Sequence, residues 1–235
     1  MDSIELLARF AYQPNALNYC GPSDANKVLR QYIIHKDNTE ETKKTLMKFE
    51  ALKPYIGYIA ERTGKDFFNY DVIEAYCLGN SLLGNFTKVD LIEITNRLKL
   101  PDSISKNIIK NMPNCVPQHS FNVVHVGVGA ITGSVKTCLE NMDNCLVHDA
   151  VVKEILEGEL IVFYQPLEYI NRYYWGFFTD KKVKYDKELL PGLKIGDNVG
   201  IHWNFAAMKL NAKELNNLKH YNFMNINAIN DKIKN

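Results

Sequence analysis

A change of hydrophobic period at two prolines, Pro113 and Pro117, limits what this chain can become. Before them, apolar residues recur at helical spacing. Val28, Leu29, Tyr32 and Ile33 make one stripe, and Leu46, Phe49 and Leu52 another. Asn69-Tyr70-Asp71 opens a helix through Leu83, and Lys88 to Leu98 is a further helix that Pro101 stops. After the prolines the pattern alternates and is rich in valine, which suits pleated strands. Phe121 to Val128 predicts the first strand. Ala150 to Ile155 and Leu160 to Tyr164 predict a hairpin across Glu157-Gly158-Glu159. Trp175 to Phe178 with Lys182 to Tyr185, and then Val199 to Trp203, add strands. Asn211 to Tyr221 reads as a closing helix, with Asn211 and Glu214 at capping-box spacing and a polar, frayed tail from Asn225.

The expected fold is therefore α+β. Residues 1–112 form a mostly helical domain, 113–144 a connecting strand segment, and 145–225 a small OB-like β-barrel with its closing helix. With 28 basic and 27 acidic residues the net charge is +1, and no basic stripe with interleaved aromatics marks a nucleic-acid partner. No apolar run reaches the roughly 18 to 20 residues of a membrane helix, and the acidic start MDSIELLARFAY lacks the form of a secretory signal. Five cysteines without C-x-x-C spacing suit reduced thiols, so the expected location is cytoplasmic.

Two candidate chemistries emerge. Cys20 lies in Tyr19-Cys20-Gly21-Pro22-Ser23, ahead of a predicted helix whose N-terminal field would favour a thiolate. Paired with His119, and with Gln118 or Asn122 orienting the imidazole, it predicts a cysteine-dependent hydrolase or transferase. The other reading is a metal site. Cys115 and His119 have C-x-x-x-H spacing, and Cys20, Cys115, His119, Cys145 and His202 all fall at element boundaries. Thiolate and imidazole are donors suited to iron or zinc. In the bland alternative to Cys20 chemistry, Gly21 supplies an unusual backbone angle in a structural turn.

Two blocks carry a resemblance to a known family. One runs from Cys145 through Val151-Val152-Lys153-Glu154-Ile155. The other runs from Leu193 through Gly196-Asp197-Asn198-Val199 to His202-Trp203-Asn204-Phe205-Ala206. Together they resemble the HypC/HupF hydrogenase-assembly chaperones over about Cys145 to Tyr221. The resemblance implies a small barrel, a thiolate at Cys145 and an imidazole at His202 that hold iron, and a protein partner, either a maturation scaffold or a hydrogenase client. Here Cys145 is internal, and Asn204 stands where that family has glycine. The whole chain also resembles an uncharacterised family. Its shared elements are Asn18-Tyr19-Cys20-Gly21-Pro22, Val72-Ile73-Glu74-Ala75-Tyr76-Cys77-Leu78-Gly79-Asn80 and Pro117-Gln118-His119-Ser120-Phe121. The expectation is an accessory, maturation-type protein rather than an enzyme. The alternatives are the Cys20–His119 hydrolase or transferase and a non-catalytic interaction module.

Overall fold

The structure is a computed structural model and describes residues 1–233. Its first helix, α1 (Ser3–Ala16), is buried on most of its circumference. Asp2 caps it by accepting from the Glu5 amide at 2.8 Å. Leu6, Leu7 and Ala8 are completely enclosed. Around it stand α2 (Ala25–His35), α3 (Thr39–Leu46), α4 (Leu52–Thr63) and α5 (Tyr70–Cys77), followed by a 3-10 turn at Ser81–Asn85, α6 (Lys88–Arg97) and α7 (Asp102–Lys110). A short α8 (His119–Phe121) runs into a π-helical turn, Asn122–Gly127, and α9 (Leu139–Cys145) follows.

The strands are β1 (His148–Ile155), β2 (Glu159–Tyr164), β3 (Leu167–Tyr169), β4 (Tyr173–Trp175), β5 (Thr179–Lys184), β6 (Asn198–His202) and β7 (Phe205–Lys209). β3 and β4 pair with each other, while five strands close on themselves in the order β1-β2-β5-β7-β6. All these pairings are antiparallel except β5 with β7. The interior of that closed sheet is apolar, with Val152, Leu160, Val162, Val199 and Ile201 all buried. The last helix, α10 (Ala212–Ile233), begins with the expected capping box. The Asn211 amide donates to Glu214 at 2.8 Å, and the Glu214 amide donates to Asn211 at 3.0 Å.

The helices and the closed sheet share packing. One cluster joins α1 and α5 to Phe205, Ala207, Met208 and Leu210 of the sheet and to Leu218 of α10. Two polar contacts add direction. His202 Nδ1 bonds the Phe10 carbonyl at 2.9 Å, and Arg9 donates to the Ala207 carbonyl at 3.4 Å. Thus α1 is attached to the end of β6 and the middle of β7.

Three expectations are corrected. No strand lies within 113–144 among the described residues; the valine-rich run is helical. Val123, Val124 and Val126 are all buried, so no solvent face exists to give a strand its alternation. Asn225 also clamps the segment ahead of the run, accepting from the Val116 amide at 3.0 Å and donating to its carbonyl at 3.1 Å. Tertiary packing overrides the strand propensity of valine here. Second, α10 does not fray at Asn225, because Asn225 and Ile226 are buried and the Asn230 side chain grips Tyr173. Third, the strands near Trp175 and Lys182 do not pair with each other. β4 pairs with β3, and β5 with β2.

Candidate metal centre

Strand register brings Cys145 and His202 together. β1 and β6 are antiparallel neighbours, with His148 opposite Ile201. The residue after β6 and the last turn of α9 therefore meet at one end of the sheet. The Trp203 amide seals this by donating to the Asn144 carbonyl at 2.6 Å. His119 arrives from the first residue of α8. There Gln118 caps the turn by accepting from the Ser120 amide at 2.8 Å. Ligand atoms of His119, Cys145 and His202 lie within 4.8 Å of one another, and all three residues are buried. Cys145 Sγ is 3.8 Å from His119 Nε2.

The hydrogen bonds assign the protons. His119 Nε2 faces the Cys145 carbonyl at 2.9 Å, and a carbonyl only accepts, so Nε2 carries hydrogen. Its Nδ1 is then the acceptor for the Tyr76 hydroxyl at 3.3 Å. His202 Nδ1 likewise donates to the Phe10 carbonyl, which leaves Nε2 as a bare lone pair. That buried Nε2 has no hydrogen-bond partner. The Cys145 carbonyl also faces His202, and two acceptors cannot bond each other.

Burial governs the electrostatics. It lowers His119 to about 4, against a smaller opposing pull from the Cys145 carbonyl. Burial and then the neighbouring His119 lower His202 to about 3. Burial raises the Cys145 thiol to about 12, with the Trp203 side chain pulling weakly the other way. The resting site is thus two neutral imidazoles and a protonated thiol, and the ion pair of a cysteine nucleophile does not form.

The three residues open on a cavity of about 80 Å³, also lined by Phe10, Tyr19, Cys20, Tyr76 and Trp203. That is room for an ion with one or a few small ligands, since a single water needs roughly 10–15 Å³ on the same measure. The donor set fits a transition metal. It has two imidazoles and one sulfur, a lone pair without a proton donor, and a small cavity beside them.

Cys20 shares the chamber, but the helix-field argument for it is corrected. α2 starts only at Ala25, after Asp24 in a left-handed conformation. Burial, then the Cys145 thiol, then Glu50 push Cys20 upward rather than toward thiolate. Its loop is a structural turn. Asn15 donates to the carbonyls of Cys20 at 2.9 Å and Pro22 at 2.8 Å, and Gly21 has φ +78°. A side chain on Gly21 would strike Phe49. No hydrogen bond joins Cys20 to His119. Cys115 stays outside the group, its thiol bonded to the Pro113 carbonyl at 3.6 Å. Gln118 and Asn122 do not orient His119. Gln118 caps α8, and Asn122 accepts from Tyr55 at 3.4 Å. Tyr76 has that role instead. Its place in the Glu-Ala-Tyr element on α5 was the sequence signal for it.

A family model described as a family of unknown function, DUF6390, matches residues 2–235. The chain belongs to this family. No curated protein and no solved structure matches the chain. No helix among the described residues is long and apolar enough to cross a membrane.

Proposed function

We propose that this DUF6390 protein is an accessory protein that takes up a thiophilic transition metal ion, iron or zinc, in the buried His119–Cys145–His202 cluster. In this reading it passes the ion, or ligands on it, to a protein partner. One observation carries the reading. Three nitrogen and sulfur donors converge within 4.8 Å, and one of them, His202 Nε2, is buried without a proton to accept. Cys145 and His202 would hold the ion, and His119 would join after releasing the Cys145 carbonyl. A bound ion would lower the thiol pKa and stabilise thiolate despite the burial.

The partner comes from the HypC/HupF resemblance. The closed order β1-β2-β5-β7-β6, with its single parallel pair, supports an OB-like barrel of that kind. The Cys20–His119 hydrolase has less support, because both nitrogens of His119 are occupied by other groups.

Anaerobic titration of the metal-free protein with cobalt(II), a spectroscopic stand-in for iron or zinc, tests the reading. A sulfur-to-cobalt charge-transfer band saturating at one ion per chain is expected, and Cys145→Ser should abolish it. Infrared spectra of protein isolated without oxygen would show any cyanide or carbon monoxide carried on a native iron. Failure of cobalt, iron and zinc alike to bind would reduce the chain to a non-catalytic interaction module.

A further inference from the structure

A second pocket lies on the far side of the segment that follows Cys145. It has a volume of about 360 Å³ and sits between the start of β1, the end of β4 and the middle of α10. Its deepest polar group is Asn222, 3% exposed. The Asn222 amide nitrogen donates to the Val147 carbonyl at 2.9 Å, which fixes the orientation of the amide. The oxygen, Oδ1, is therefore the end without a partner. A buried acceptor left unpaired is costly, and an N–H or O–H from a ligand would remove that cost.

The other polar groups lining the pocket are Asp149, His148, Gln165, Lys219 and His220. His148 turns Nε2 to Asp143, at 2.8 Å from the carbonyl and 3.1 Å from the carboxylate. Both partners only accept from nitrogen, so Nε2 carries a hydrogen and is committed to Asp143. Asp149 adds a carboxylate. Its counter-ion, Lys219, sits 3.2 Å away with the ammonium half exposed, and such a surface pair is weak and readily shared. Trp175 and Phe223 supply aromatic walls, and Phe223 is 54% exposed.

A buried unpaired oxygen and a carboxylate beside two aromatic faces suit a flat cation rich in N–H. A guanidinium offers five donors in a plane, is weakly hydrated and stacks on aromatic rings. We propose that this pocket binds a guanidinium group carried on a short alkyl stem, with Asn222 Oδ1 and the Asp149 carboxylate as its acceptors. The group can belong to a free small molecule or to an arginine side chain of a peptide. This inference does not depend on the metal site.

Calorimetric titration of the full chain with butylguanidine, with 1-butanol as a matched control and with a blocked Gly-Arg-Gly peptide, tests it. Butylguanidine should bind saturably, at least about tenfold tighter than butanol, as charge-assisted hydrogen bonds require. Asp149→Asn and Asn222→Leu should each weaken binding about tenfold or more. Asp149→Asn keeps the backbone pairing of β1, so it remains informative if Asn222→Leu fails to fold. Tighter binding of the peptide than of butylguanidine would assign the group to a protein, and equal binding to a small molecule. Cys145→Ser should bind butylguanidine as the parent does, which separates this site from the metal centre. Absence of saturable butylguanidine binding, or affinities equal to butanol, would show a water-filled pocket only and overturn the proposal. So would unchanged binding in Asp149→Asn.

Discussion

Lowering the pH of the metal-free protein should unfold it through His119 and His202. Both histidines are held neutral in the fold, at about 4 and about 3, against an ordinary value of 6.5. A base whose folded pKa is depressed stabilises the fold fully above its unfolded pKa. That stability drains away as pH falls toward the folded value. Each pH unit of that interval is worth about 1.4 kcal/mol per histidine. Between pH 6.5 and pH 4 the two together withdraw on the order of 5 kcal/mol, which approaches the whole stability of a typical domain. The unfolded chain binds about two more protons here, so the slope should approach roughly 2.8 kcal/mol per pH unit. Asp143 does not confuse the measurement. Its partners His148, Leu167 and Lys181 outweigh burial and hold it at about 2, so its contribution is lost only between 3.8 and 2. Urea unfolding in the presence of a chelator, at half-unit steps from pH 7 to 4.5, reads the slope. The His119→Gln, His202→Gln double variant should flatten it. A parent whose urea midpoint holds constant from pH 6.5 to 4.5 would refute the buried neutral pair.

Three further outcomes are expected. In limited alkylation the half-buried Cys138 should label first, Cys20 more slowly because burial raises its thiol, and the fully enclosed Cys77 last; mass mapping reads the order. Gly79→Ala should destabilise by about 3 kcal/mol, seen as a melting point roughly 6–12 °C lower. Its φ is +84° and an added Cβ would lie 2.1 Å from the Tyr221 ring. Val199→Asp should abolish the cooperative unfolding transition, because the carboxylate would be buried without a partner inside the closed sheet.

Much of the local structure was legible in the sequence, because local physics decides it. Most helices before Pro113 follow from apolar spacing and caps, although the one opened at Asn69 stops at Cys77, short of Leu83, where Gly79 turns the chain with φ +84°; Asn211 with Glu214 announced the start of α10. The hairpin of β1 and β2 follows from alternation around Gly158. Cys145, His202 and His119 were also marked as candidate ligands, because donor residues at element ends are visible in a sequence.

Tertiary structure decided what those elements touch. The run from Phe121 to Val128 has the alternation of a strand, yet it is helical because every valine from 123 to 126 meets protein on all sides. The asparagines of α10 look like solvent-facing polar residues. Asn222, Asn225 and Asn230 instead satisfy backbone groups of distant segments. Cys115 and His119 are close in sequence, but Cys115 bonds Pro113 while His119 reaches the end of α9. Which histidine nitrogen is left bare depends on carbonyls at Phe10 and Cys145, far from His202 in the chain. Spacing shows which donors are present. Only the closure of the sheet against α1 and α8 sets the distances and removes the water that would otherwise satisfy them.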